Sequence, residues 1–251
     1  MYTLFCQKRK GDSQPFPLTE QLHSFIKQTK AEGIFVSSGY LSQITYDSAG
    51  NVKNDYVQKM LDNFLKGTEV KYFGLGNTVE GYKEYREKHE KLLCGEGKWL
   101  EVVQNNEYDH RKMVVVFRTN QNGIITPKKL ERLSSGSGKK ILESFFNSIE
   151  VICVSIGSSN FSYSSYYGTD YDKKEKKHTG TFLADKGEAD VMMFYDEAYA
   201  QEIEHMINEK NNDNNEKINH EDRMVLSKSL TKVSNDFLKN IFRTSIEQIL
   251  A

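Results

Sequence analysis

Two apolar runs constrain the fold of this chain more than any other feature. Met113-Val114-Val115-Val116-Phe117 and Val151-Ile152-Cys153-Val154 contain no polar residue. A strand with one wet face would alternate apolar and polar positions, and neither run does. Both therefore read as strands covered on both faces, in a sheet flanked by helices. Further strands are predicted at 2–6, 33–38, 69–75 and 99–103. Helices are predicted at 18–31, through Tyr56, Val57, Met60, Leu61, Phe64 and Leu65, and at 79–93. Strand and helix thus alternate from Tyr2 to Phe117, the pattern of an α/β domain with a mostly parallel sheet.

The rhythm then breaks. Residues 118–150 read as an insertion of turn residues, glycines and basic charge that returns to helix at 139–149. A polar, Tyr-rich loop is expected at 163–180, a final strand at 190–195, and a helix at 197–208 capped by Asp196. Asn211 to Asn215 is an asparagine-rich linker. Helical spacing resumes through Phe237, Leu238, Ile241, Phe242, Ile246 and Ile249. The expected division is a domain over 1–209 and a linker with a helical appendage over 210–251. Two strand exits carry a Ser-Ser doublet, Ser37-Ser38 and Ser158-Ser159, a hint of internal repetition.

Composition narrows the functional classes. No run approaches the roughly eighteen apolar residues of a membrane span, and the first ten residues lack the order of charge and apolar length of a secretory signal. Cys6, Cys94 and Cys153 are odd in number and lie in or beside apolar runs, which suits reduced thiols in a cytoplasmic protein. The net charge of −1 gives no global attraction to a polyanion. Charge is nevertheless clustered: Lys128, Lys129, Arg132, Lys139 and Lys140 face only Glu131, and Lys173, Lys174, Lys176 and Lys177 face only Glu175.

His110 and Lys112 lead into the first apolar run. On a strand, positions i and i+2 share a face about 6–7 Å apart, so a proton carrier and a fixed positive charge point the same way. The second run ends in Gly157-Ser158-Ser159-Asn160. His-x-Lys followed by Gly-Ser-x-Asn, each attached to an apolar strand, resembles the signature of the phospholipase D superfamily. Gly33 to Ser42 resembles the early strand and glycine-tyrosine turn of its single-motif nucleases. The resemblance spans about 15–208 and departs from the family twice. Phe117 stands where an aspartate is usual, and Asn160 lies 50 residues after His110.

The resemblance implies a phospholipase D-like sandwich with a mostly parallel mixed sheet. It also implies a metal-independent, cofactor-free phosphodiesterase working through a phosphohistidine. In that scheme His110 attacks phosphorus while Lys112, Ser158 and Asn160 hold the non-bridging oxygens. A carboxylate, Glu188 in preference to Asp190, orients the imidazole. With one motif per chain, the second imidazole comes from a homodimer partner, with the active site at the two-fold seam. Lys128, Lys129, Arg132, Lys139, Lys140, Lys173 and Lys174 are the candidate contacts to nucleic acid, DNA in preference to RNA, in an endonuclease of restriction or defence type. The alternatives are an inactive nucleic-acid-binding or assembly subunit of the same fold, and a lipid phosphodiesterase. Against the latter, no segment resembles a membrane-binding helix.

Overall fold

The computed structural model describes residues 1–8, 16–38, 41, 44–76, 88, 98–102, 112–120, 138–159, 161–162, 165–166, 169–172, 177–183, 188–212, 224–229, 233–234 and 236–250. The expected helix at 79–93, apart from Lys88, and most of the basic insertion lie outside these residues.

The main sheet contains β1 (Tyr2–Lys8), β2 (Gly33–Ser37), β5 (Tyr72–Gly76), β6 (Lys98–Val102), β7 (Met113–Thr119), β8 (Ile149–Gly157), β11 (Glu188–Phe194) and β12 (Met224–Lys228). Its eight strands run in the order β12-β1-β11-β8-β7-β2-β5-β6. Only β2–β5 and β5–β6 are parallel; every other pairing is antiparallel. The expectation of a mostly parallel sheet is therefore corrected. An apolar run shows that a strand is covered on both faces, and that is true of either orientation once helices lie on both sides.

Two hairpins stand apart, β3 (Ile44–Tyr46) with β4 (Val52–Asp55), and β9 (Thr169–Asp172) with β10 (Lys177–Leu183). The second lies in the stretch expected to be a polar loop, 163–180. Its strands are rich in charged and hydroxyl residues and lack the apolar alternation that marks a strand in sequence.

Helices α1 (Pro17–Gln28), α2 (Tyr56–Leu65) and α4 (Glu197–Asn212) cover one face of the sheet, and α3 (Gly138–Asn147) with α5 (Phe237–Leu250) covers the other. On the first face Leu22, Phe25 and Ile26 of α1, Phe64 of α2 and Tyr199 of α4 pack on Val36, Val114, Val116 and Phe194. On the second, Phe145 and Phe146 of α3 and Leu238, Phe242 and Ile246 of α5 pack on Phe35, Val115, Phe117 and Val154. Burying such a side chain is worth about 1.5–3 kcal/mol, so both layers drive the fold. Where a helical appendage is expected after 209, the chain instead supplies an edge strand, β12, and a helix that is part of the second core.

Glu32 ties three strands together at the end of the sheet where β2 begins. Its backbone bonds to Phe117, Lys71 and Tyr72, and its carboxylate accepts from Thr119 N at 2.8 Å, Thr119 Oγ1 and Lys71 Nζ at 2.9 Å. Nearby, Gly33 leaves room for the Phe117 ring, which a Cβ there would overlap.

Candidate active site

Strand register brings the chemistry-bearing segments to the opposite end of the sheet. Met113 lies across from Ile156, so Lys112 precedes β7 beside Gly157, whose N–H donates to the Lys112 carbonyl at 3.2 Å. Gly157 lies across from Asp190, which sets the exit of β8 against the entry of β11. Ser37 at the end of β2 faces Met113, and Lys8 at the end of β1 faces Glu188.

Ser158 is exposed and tied to β11 at several points. Its hydroxyl donates to Glu188 Oε2 at 2.8 Å and accepts from Ala189 N at 2.9 Å, while its own N–H donates to the Ala189 carbonyl at 3.0 Å. Glu188 is half-buried at the start of β11. Lys112 is half-buried and already engaged with neighbouring groups. Lys112, Ser158 and Glu188, three residues from three parts of the sequence, thus meet at one sheet end.

The structure separates the two carboxylates that sequence reasoning left as alternatives. Asp190 is 4% exposed. It accepts from Ser159 N at 3.4 Å through Oδ1 and from the Ser159 hydroxyl through Oδ2. Burial pushes the Asp190 carboxyl up to about 6, against the lowering effect of the Ser159 bonds and with a further push from the Glu188 charge. Glu188 points to the exposed serine; Asp190 serves the buried one.

The remaining sequence candidates fall differently. His110, Asn160, Lys128, Lys129, Arg132, Lys173 and Lys174 lie outside the described residues, as does the side chain of Lys139. Lys140 is exposed in the first turn of α3. Sequence reasoning missed Ser38, Ser159 and Lys8. The two serine doublets gave a signal for the first pair: their second members are both buried, and the segments that follow the doublets meet. Ser38 Oγ accepts from Phe161 N at 2.8 Å, and Leu41 bridges Phe161. Lys8 is buried and donates to the Ser165 carbonyl at 3.2 Å; nothing in its sequence context sets it apart from a surface lysine. Among the described residues no cluster of histidine, cysteine and carboxylate side chains could hold a metal ion, and no helix is long and apolar enough to cross a membrane.

No family model matches the chain, and no curated protein matches it. Among solved structures it is similar to the crystal structure of polyphosphate kinase from Porphyromonas gingivalis. The identity is 7% and the TM-score 0.38, over 85% of this chain and 27% of the kinase. This chain therefore spans about a quarter of that protein's length, and a likeness so distant assigns neither a fold family nor an activity.

Proposed function

We propose that this protein is a metal-independent phosphodiesterase of the phospholipase D type that cleaves nucleic acid, DNA in preference to RNA. The observation that supports it is the meeting of Lys112, Ser158 and Glu188 at one end of the sheet, on adjacent strand termini. The resemblance in sequence joined the first two by motif alone; register and hydrogen bonds are an independent reason to group them. His110, two residues before Lys112 in the sequence, is the nucleophile of this reading.

The chemistry follows from the residue types. The Lys112 ammonium and the Ser158 hydroxyl, with Asn160, neutralise the non-bridging oxygens of a phosphodiester and admit a nucleophile. Neutral His110 attacks phosphorus; the N–P bond forms as the P–O bond to the leaving group breaks. A second imidazole, His110 of a second copy in a homodimer, donates the proton that the leaving oxygen needs. Water, deprotonated by that same imidazole, then displaces His110 from phosphorus. Glu188 holds an imidazole in the required tautomer, and the two histidines titrate as a coupled pair.

The test is cleavage of labelled DNA and RNA with and without EDTA. Cleavage is expected to survive EDTA and to vanish in His110→Ala. A requirement for added Mg²⁺, or undiminished cleavage by His110→Ala, sinks the proposal.

A further inference from the structure

We infer that Asp190 is a positioning residue of this site: through Ser159 it fixes the turn that presents Ser158, and it leaves Glu188 as the carboxylate on the substrate side. The inference rests on the reading of the sheet end as a phosphodiesterase site, and its structural half can be tested without activity.

The turn is pinned on both sides of Ser158. Before it, Gly157 donates to the carbonyl of Lys112 at 3.2 Å. After it, Ser159 is held by both oxygens of Asp190. Asp190 stands in the middle of the sheet, with Cys6 across from it on β1 and Gly157 across from it on β8. The carboxylate occupies the space that a side chain at position 157 would fill: a Cβ there would overlap Asp190 and the Ala189 carbonyl. The glycine of the Gly-Ser pair is thus required by the aspartate of the neighbouring strand. A carboxylate so enclosed cannot meet a phosphodiester or an incoming imidazole unless β8 and β11 part. Ser158 and Glu188 need no such movement, because the serine is exposed and the glutamate half-buried. Asp190 acts through Ser159; Glu188 acts directly.

These roles make different demands on the side chain. Positioning needs hydrogen-bonding groups of the same shape, and an asparagine at 190 supplies them. Its oxygen accepts from Ser159 N, and its amide donates to the Ser159 hydroxyl, which can accept as well as donate. Orienting an imidazolium needs negative charge, which glutamine at 188 lacks.

The experiment measures kcat and KM for cleavage of a labelled DNA duplex in EDTA by Asp190→Asn, Asp190→Ala, Ser159→Ala and Glu188→Gln. Asp190→Asn is expected to keep kcat within about threefold. Asp190→Ala and Ser159→Ala are expected to lose about 10- to 100-fold in kcat at nearly constant KM, the size of loss that a misplacement of about 1 Å produces. Glu188→Gln is expected to lose at least as much. An Asp190→Asn loss equal to that of Glu188→Gln would assign the buried charge a direct part in the reaction and overturn the inference, as would wild-type kcat in Ser159→Ala.

Amide exchange provides the readout independent of turnover. The N–H groups of Ser158 and Ala189, both engaged in the turn, are expected to exchange at least tenfold faster in Ser159→Ala, while those of Val115 and Val154 keep their protection. Unchanged exchange at Ser158 and Ala189 refutes the clamp whatever the activity. Wild-type protein that cleaves no phosphodiester, with exchange behaving as expected, refutes the functional reading and leaves the clamp standing.

Discussion

Gly157→Ala is the substitution for which the structure makes the most detailed demand. The new methyl group would sit far inside ordinary contact distance, about 3.5 Å, of three atoms: Oδ1 and Cγ of Asp190 and the carbonyl oxygen of Ala189. A side chain can rotate away, but the Ala189 oxygen is backbone in the ladder between β8 and β11, so the two strands must part locally. Overpacking of a filled interior costs about 1–3 kcal/mol. Parting the strands also loosens the bonds from Ser158 N to Ala189 O at 3.0 Å and from Ala189 N to Ser158 Oγ at 2.9 Å. At about 1 kcal/mol each net, the sum is about 3–5 kcal/mol. A protein of this size with about 5–15 kcal/mol of stability still folds, and its Tm falls by about 10 °C. Thermal unfolding by circular dichroism measures this. Asp190→Ala combined with Gly157→Ala should recover only part of the loss, because the clash with Ala189 remains. A Gly157→Ala protein melting within 2 °C of wild type would show that the strands are not in the contact described, and the argument for a clamped turn would go with it.

Two further outcomes concern pH. Burial would raise the Glu32 carboxyl, but hydrogen bonds from Thr119 and the bond and charge of Lys71 outweigh it and bring the group to about 2. A depressed carboxylate stabilises the fold above its unfolded value of about 4.5, and that stability is lost as pH falls toward 2. With partial solvent access discounted, about 2 kcal/mol is at stake. Glu32→Gln should therefore unfold at lower urea than wild type at pH 7 and converge with it near pH 2; a constant gap across that range contradicts the linkage. Asp190 has the opposite sign. Its raised pKa of about 6 means that stability is fully present below about 3.8 and is lost as pH rises through 6, in surroundings that include Glu188 on its own strand and Lys8 on β1. Asp190→Asn should gain on wild type in urea unfolding between pH 4 and pH 8, by up to about 3 kcal/mol; an advantage that does not grow with pH rejects this.

The legible parts of the site were those set by local pattern. Lys112 and Ser158 are fixed by apolar strands whose ends the sequence marks clearly, and strand ends are where side chains reach solvent. Glu188 and Asp190 were not separable, because residues two apart on a strand share a face. Their difference comes from β1 and β8: Cys6 and Gly157 flank Asp190, while Glu188 lies at the strand's first position, beyond Gly157. Those pairings join residues more than 30 positions apart, and in the case of β1 more than 180. No local window contains them. Strand direction was lost for the same reason: alternating strands and helices over 2–117 say nothing about which strands become neighbours. Only β2, β5 and β6 pair as that alternation suggests, and β7 enters the sheet reversed between β2 and β8.

That reversal is what makes a site possible here. In an all-parallel arrangement, β7 would begin at the end of the sheet where β2 and β8 also begin, and the segment before β7 would lie a full strand length from Ser158. With β7 antiparallel to both, its start meets the end of β2 at Ser37 and the end of β8 at Ile156. β11, antiparallel to β8, brings its own start to the same place. Two strand exits and two strand entries therefore converge, contributing Ser38, Ser158 and Ser159 from the exits and Lys112 and Glu188 from the entries. The Gly157–Asp190 contact sits where the second exit crosses the second entry. A change there alters the angle at which Ser158 leaves the sheet, and with it the distance to Lys112. Burial of the Asp190 carboxyl costs stability at neutral pH, while its bonds to Ser159 hold that angle beside a glycine that leaves it room.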